Sequence, residues 1–353
     1  MRLRYRVQPM SPGTDPPGEV VVVDKFGGSV LRRPEDLAEA VAAVVRQRRA
    51  GLRPVVVVSA FEGVTDTILS AAAVLLPDGG RALREPRHAP DSALARETDR
   101  ALATGEALSA ALFALGLQAQ GVPARSFSGA EAGIRTAAAH LGAEVRRVYS
   151  RPLRAALAAE LVPVVAGFQG IGAHGELTTL GRGGTDLSAV VLAVALRADR
   201  CELFKDVGGV MEADPHLVPA ARLLRVVDAA QLELLAQLGA EIVHPVAVRR
   251  ARRGRLSLVV RALDEAGPMT EVRPSRRGST EGGVLMLAVD RKERMARISL
   301  VGPAGLMPEV LPLPAHGEGS FDEEGMRVVW AEVPVRRAAQ AAQAVHAALM
   351  ARP

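Results

Sequence analysis

Residues 162–186 read VPVVAGFQGIGAHGELTTLGRGGTD. The stretch opens as an apolar β-strand and runs into a loop holding Gly167, Gly170, Gly172, Gly175, Gly181, Gly183 and Gly184. Thr185 and Asp186 then lead into the apolar helical run LSAVVLAVAL. Strand, glycine loop and helix in succession are the unit of a parallel α/β sheet. Glycines leave backbone N–H groups uncovered and let another molecule approach closely. The N-terminus of the following helix favours an anion. One arginine, Arg182, stands among the glycines. The stretch therefore predicts an anion cradle at the carboxyl edge of a sheet.

The same unit recurs outward from it. Residues 19–24, EVVVVD, predict a buried first strand, followed by Lys25, FGGS and a helix over 34–51. Pro34 suits the first helical turn and Gly51 the stop. Residues 54–59, PVVVVS, predict a second strand, and a helix follows AFEGVTD at 67–76. Strands apolar on both faces argue for a parallel sheet covered by helices on both sides. Residues 77–90 read as a polar surface loop. Residues 91–121 read as a helical pair broken at Thr104 and Gly105, with Glu106 opening the second helix. A short strand is expected at 125–129, mostly helix over 144–160, and a strand at 201–204 with the exit loop KDVGGVMEADP at 205–215. Helices at 228–238 and 244–253 and a strand at 256–261 complete the unit. The expected division is a flexible tail at 1–18, a catalytic domain at 19–266, a Gly/Pro/Ser/Thr-rich linker at 267–283, and a small α+β unit at 284–353. In that last unit VLMLAVD, ARISLVG and RVVWAEVP predict strands and the final run a helix, with the Pro/Gly-rich AHGEGSFDEEG between them.

Composition narrows the function. Aromatic residues make up 3% of the chain, too few for a base-stacking platform. The net charge of +5 is spread without a basic stripe, so no nucleic-acid partner is expected. Cys201 is the only cysteine, which excludes a disulfide framework and a cysteine metal site; it reads as a buried strand residue. No apolar run reaches the ~18 residues of a membrane span without interruption by charge or glycine, and the first residues lack the apolar region of a signal peptide. A soluble, cytoplasmic protein is expected. Of 44 basic residues only Lys25, Lys205 and Lys292 are lysine. Lysine is a compact point charge and arginine a planar fork. Two of the three lysines stand beside loops that follow strands.

Four loops leave strands at their carboxyl ends: KFGGS, SAFEGVTD, the glycine stretch and KDVGGVMEADP. In parallel sheets ligands gather at that edge. Lys25, Thr65, Arg182, Asp186, Lys205 and Asp206 are therefore expected to converge. Cations, glycine amides and a few carboxylates suit phosphoryl transfer, where positioning and charge stabilisation supply most of the catalysis. If the acceptor is a carboxylate both reactants are anions, and Lys, Arg, helix N-termini and Mg²⁺ must offset their repulsion. Taken singly, each residue has a plain structural alternative: Lys25 a snorkelling lysine, Arg182 half of a surface ion pair, Asp186 and Glu106 helix-start acids. Neither a P-loop nor a Rossmann fingerprint is present.

Taken together, the segments resemble aspartate kinase, of the amino-acid kinase superfamily. The carrying segments are VVDKFGGSVL at 22–31, VVVVSAFEGVTD at 55–66, TGEALSAALFALGLQAQGVPA at 104–124, SFSGAEAGIRT at 126–136, residues 162–196, KDVGGVMEADPHLVPAARLL at 205–224 and LELLAQLGAEIVHPVAVRRARR at 232–253. The resemblance implies a three-layer α/β/α fold with a mostly parallel sheet. It implies transfer of the ATP γ-phosphoryl group, with Mg²⁺, to the side-chain carboxylate of L-aspartate, the first step toward lysine, threonine and methionine. On matching positions it implies catalytic roles for Lys25, Arg182 and Asp186. Arg182 would grip the substrate α-carboxylate and Glu106 its α-ammonium group, with Ser59, Thr65, Phe168 and Thr179 around them. ATP would lie against Lys25, Gly27, Gly28, Ser29, Lys205, Asp206, Met211, Asp214 and His216. No protein-held metal cluster is implied. The tail resembles one ACT-type ferredoxin-like unit where the family commonly has two, and implies a homodimer through it.

The nucleotide half departs from the family pattern. Lys205-Asp206 stands where Thr-Asp is common, Met211 where tyrosine is usual, His216 where arginine is usual, and Glu241 replaces a lysine of the family's GAKVLHP segment. Losing such charges beside a triphosphate matters, because a close pair is worth ~4 kcal/mol at a surface-like dielectric. Lys205 is the candidate compensation. Two other readings stand beside the first: a catalytically weak amino-acid-binding regulatory homologue, and a superfamily kinase acting on another small carboxylic acid.

Overall fold

The computed structural model describes residues 20–76, 93–240, 242–264, 266–274, 286–303, 313, 317–323 and 326–350. The expected tail at 1–18, the loop at 77–90, Glu241 and most of the expected linker lie outside these residues.

Among the described residues the main sheet has eight strands. They are β1 (Val21–Phe26), β2 (Arg53–Val58), β3 (Ala124–Phe127), β6 (Val162–Ala166), β9 (Arg200–Phe204), β10 (Val226–Asp228), β11 (Ser257–Arg261) and β12 (Met269–Arg273). Their spatial order is β10-β12-β11-β9-β1-β2-β6-β3, and every pairing is parallel except β11 with β12. The central strands are valine-rich and buried on both faces, which is why they read as unbroken apolar runs rather than alternations.

Helices cover both faces. On one side lie α1 (Leu37–Arg49), α2 (Val64–Leu75) and α3 (Ala93–Ala119); their core includes Phe26, Val56, Phe113, Leu117 and Val164. On the other lie α4 (Arg151–Ala158), α5 (Gly184–Leu196), α6 (Ala229–Gln237) and α7 (Pro245–Arg253), around Val23, Val57, Leu192, Leu203 and Leu235. This is the expected three-layer α/β/α arrangement.

Register sets the height of the loops. Phe26 of β1 is level with Val58 of β2 and Phe204 of β9, and Val58 with Ala166 of β6. Gly27, Ser59, Gly167 and Lys205 therefore leave the sheet along one line at its carboxyl edge. Side chains alternate along β1, so Phe26 points to the α1 and α3 side, against Phe204 at 4.6 Å and Phe113 at 5.2 Å between ring centroids. Lys25 points to the α5 side.

A second sheet of four short strands stands at that edge, in the order β5-β4-β7-β8, made of β4 (Ile134–Thr136), β5 (Val145–Val148), β7 (Gln169–Ile171) and β8 (Leu177–Thr179). The C-terminal unit is an antiparallel sheet in the order β13-β14-β16-β15, formed by β13 (Met286–Arg291), β14 (Met295–Pro303), β15 (Gly317–Glu323) and β16 (Met326–Pro334), with α8 (Ala338–Met350) across it. One face adds Met286, Ala288, Val301, Met326 and Val328 to the large core. This is an ACT-like unit.

Four expectations differ from the structure. The Pro/Gly-rich piece AHGEGSFDEEG, expected between strands, carries β15. Residues 93–119 are one helix, not a pair broken at Thr104 and Gly105. Gly105 is there for packing: a Cβ on it would lie 2.7 Å from the Ala60 Cβ. The helix expected over 144–160 begins as strand β5, because Val145 and Val148 pair with β4, and turns helical only at Arg151. The linker expected over 267–283 contains β12, which is hydrogen-bonded into the main sheet.

Candidate functional site

The site is built from the strand ends inward. Lys25, the fifth residue of β1, is 5% exposed. Its Nζ lies 2.7 Å from Asp186 Oδ1. Gly27 makes that possible, since a Cβ there would come within 2.5 Å of the ammonium nitrogen. Asp186 sits in the first turn of α5, where a carboxylate faces the positive end of the helix dipole. Its second oxygen lies 3.5 Å from Lys205 Nζ and 3.4 Å from the His244 backbone N–H. Two of the chain's three lysines thus flank one aspartate. Burial alone would raise the Asp186 carboxyl, but the charges of Lys25 and Lys205 outweigh it and hold the group well below the usual carboxylate range. Burial, and then repulsion from Lys25, lowers the Lys205 ammonium below its ordinary value, with Asp186 and Asp206 acting against this.

Glu106 forms the other wall. It sits mid-helix on α3 and is buried. Its Oε1 accepts the Ala60 backbone N–H at 3.1 Å, while Oε2 is buried and has no hydrogen-bond partner among the described residues. Burial pushes its carboxyl up to about 7, with the Ala60 hydrogen bond opposing. Ala60 follows Ser59, whose N–H donates to Phe26 at 3.0 Å. A Cβ on Gly28 would lie 3.6 Å from the Ala60 carbonyl. Glu106 is thereby tied to the same strand ends that carry Lys25. Ser29 and Thr65 are half-buried beside them, Thr65 in the first turn of α2.

The 181–184 turn carries Arg182. Gly181 and Gly183 have φ of 74° and 70°, which an L side chain rarely adopts. A Cβ on Gly183 would also strike the His244 ring at 2.3 Å. Arg182 is exposed and makes no ion pair with any described residue. Phe168 holds a left-handed φ of 64°; its N–H donates to Ser188 at 3.0 Å and its carbonyl accepts Leu180 N–H at 2.8 Å. Thr179 is buried, and its hydroxyl is taken by Asp99 at 2.5 Å.

The nucleotide candidates are placed differently. Asp206, Asp214 and His216 are exposed, and Met211 forms an isolated bridge to Leu223. Asp214 Oδ1 accepts both the His216 backbone N–H at 2.9 Å and a contact from its Nδ1 at 3.1 Å. The structure thus brings Lys25, Asp186 and Lys205 into one cluster and leaves Asp214 and His216 at the surface.

Sequence reasoning missed Asp99. It is fully buried on α3 and gathers the His140 Nδ1 at 2.7 Å, the Leu141 N–H and Thr179, fixing the 140–143 loop beside Gly181. The available signal was spacing: Asp99 lies two helical turns before Glu106, on the same buried face.

A divalent cation finds no protein cage, since no group of three or more His, Cys, Asp or Glu gathers among the described residues. The donors present near Lys205 are the carboxylates Asp186 and Asp206, oxygen ligands of the kind that suit a hard cation brought in on phosphates.

The sequence profile of the amino acid kinase family matches residues 20–262. "Aspartokinase 2" of Bacillus subtilis (strain 168) is 35% identical over 284 residues, covering 80% of this chain and 65% of that protein. The "Aspartokinase" of Thermus thermophilus is 38% identical over 253 residues, covering 72% of this chain and 59% of that protein. The chain therefore spans about 65% or less of the length of these curated relatives. Among solved structures, E. coli aspartokinase III in complex with aspartate and ADP superposes with a TM-score of 0.75 at 21% identity, over 94% of this chain and 100% of that one. At that identity the likeness shows the fold.

Proposed function

The chain belongs to the amino acid kinase family, and we propose that it is an aspartate kinase, transferring the γ-phosphoryl group of ATP to the side-chain carboxylate of L-aspartate. The products are 4-phospho-L-aspartate and ADP. The observation that carries this reading is Glu106, a buried carboxylate with one oxygen unpartnered among the described residues, beside the Lys25 loop. Such a group calls for a cation, and the α-ammonium of a free amino acid supplies it. N-acylated acids lack that charge.

The remaining roles follow from charge and position. Arg182, exposed and unpaired among the described residues, offers a bidentate fork to the α-carboxylate. Ser59, Thr65 and Phe168 line the amino-acid side, and Thr179 buttresses it through Asp99. Lys25 stabilises the transferring phosphoryl group, held in place by Asp186. Lys205 extends the same cluster toward the phosphates, with Gly27, Gly28, Ser29, Asp206, Met211, Asp214 and His216 around the nucleotide. The acceptor carboxylate is already an anion, so attack forms the new O–P bond and breaks the bond to ADP without a general base. Asp186 and Asp206 would hold a Mg²⁺ brought in on the phosphates, which would supply neutralisation of the phosphate oxygens. An ACT-like unit over 284–353, homodimerisation through it and cytoplasmic residence belong to the same proposal.

A second reading, an amino-acid-binding homologue weak in transfer, is favoured by the Asp214–His216 pair, which engage each other at the surface. Trapping the acyl phosphate with hydroxylamine separates the readings. With ATP and Mg²⁺, L-aspartate should give hydroxamate while glutamate and N-acetylglutamate give little, and Lys25→Ala should abolish the signal. Aspartate-dependent hydroxamate that survives Lys25→Ala would sink the mechanism, and aspartate binding without any hydroxamate would establish the second reading.

A further inference from the structure

The loop that carries the nucleotide candidates is built into the C-terminal unit. Ala213, Leu217, Val218 and Ala221 share one apolar cluster with Leu287, Ile298, Val329, Ala342 and Val345. Residues 211–221 thus supply part of the tail's own core.

Polar ties run the same way. The Glu212 carbonyl accepts the Leu287 N–H of β13 at 2.7 Å. Gln343 of α8 donates its Nε2 to the Leu217 carbonyl at 2.8 Å. The Glu212 carboxylate accepts the Arg222 backbone N–H at 3.2 Å and its guanidinium at 3.1 Å. Its Oε2 also meets His346 Nε2 at 3.2 Å. His346 is 5% exposed and comes from α8, at the far end of the sequence. Beside this contact the seam opens into a cleft of about 840 Å³, bordered by Val218, Arg222, Gln343 and His346. There the polar ties to Gln343 and His346 stand beside the apolar contacts of Leu217 and Val218. Asp214 lies two residues beyond Glu212 and His216 four.

We infer that His346 is a positioning residue for nucleotide binding: by donating to Glu212 it holds the 211–216 loop in the shape that receives ATP, which makes the tail part of the nucleotide site rather than an appendage to it. The inference rests on the kinase reading above, and it predicts an effect confined to the nucleotide. A hydrogen bond to a buried carboxylate is strong enough for an effect of about tenfold.

The test uses the full chain, with MgADP binding by calorimetry beside hydroxamate kinetics. His346→Ala should raise the MgADP Kd and the KM for ATP about tenfold, leaving kcat and the KM for aspartate within about twofold. His346→Gln, which can still donate to Glu212, should recover most of the loss. Gln343→Ala, at an independent tie, should raise the KM for ATP several-fold. Should His346→Ala fail to fold, the Gln variant and Gln343→Ala carry the test, and an unchanged KM for ATP in Gln343→Ala overturns the inference. An MgADP Kd unchanged in a folded His346→Ala, or a parallel rise in the KM for aspartate, overturns it as well. Wild-type protein that binds no MgADP and gives no hydroxamate would instead bring down the kinase reading itself.

Discussion

The two ends of the site are made from different material. The acceptor end stands on buried groups: Lys25 and Asp186 are 5% exposed and Glu106 4%, all on strand ends or helices of the two large cores. The nucleotide end stands on an exposed loop whose apolar residues belong to the tail's core. Charges buried among fixed partners cost little reorganisation during reaction. Charges on an exposed loop are screened and can be exchanged at small cost. The difference teaches where the departures from the family pattern fall. The buried Asp186 and Glu106 match it, as does the exposed Arg182, whereas the half-buried Met211 and the exposed His216 do not.

The sharpest way to break the comparison is to neutralise the buried aspartate. Asp186→Asn leaves Lys25 and Lys205 facing each other without a counter-charge. Uncoupling a buried ion pair costs about 3–5 kcal/mol of stability, and loss of the preorganised cluster should lower kcat by about 10²–10³-fold. Melting and single-turnover hydroxamate formation measured on the same preparation check both. The native carboxyl is held below its ordinary value, so its contribution to stability is present above the ordinary aspartate pKa and lost as pH falls below it. The acid side of the stability profile should therefore flatten in Asp186→Asn. A variant with native kcat would show that the lysines, not the aspartate, organise transfer.

Glu106→Gln comes next. Removing the charge that meets the α-ammonium should raise the KM for aspartate about 10²-fold, since a buried charged hydrogen bond is worth about 1.5–3 kcal/mol. The same change should stabilise the unliganded protein. The Glu106 carboxyl is raised to about 7 from an ordinary 4.5, so its neutral form is the one the fold tolerates. The associated stability is complete below the ordinary value and declines as pH rises, until by pH 8 the full penalty of about 3 kcal/mol is in force. Glu106→Gln should therefore melt higher than wild type at pH 8 and about the same at pH 4. Wild-type aspartate affinity should in turn improve as pH rises through 7. A variant no more stable at pH 8 would mean that the buried Oε2 already has a partner.

Much of this acceptor end was legible. Apolar runs ending in KFGG and TTLGRGGTD locate the strand ends, and parallel register then forces Gly27, Ser59, Gly167 and Lys205 to one level. Gly105 misled because a glycine within a helical run reads as a break, and only the neighbouring Ala60 shows why the helix needs it. The short strands of the second sheet are three or four residues long, below the length at which alternation can be read. The seating of residues 211–221 on the tail was not legible either. It joins segments more than 60 residues apart through scattered apolar residues of the 211–221 loop.

His216→Arg probes the exposed end and carries the smallest effect. The His216 side chain is 88% exposed and touches Asp214 at 3.1 Å. Arginine there restores the charge that the family pattern places beside the triphosphate, yet it sits in water next to a carboxylate. Exposed pairs contribute about 0–1 kcal/mol, so the KM for ATP should fall by no more than about fivefold, with kcat unchanged. Raising the salt toward 1 M, where the screening length shrinks to about 3 Å, should erase the gain. The loss caused by Asp186→Asn should persist, because a buried pair is screened far less than an exposed one. A gain from His216→Arg that survives high salt would place this residue in a buried phosphate contact, and the two ends of the site would then be more alike than their burial implies.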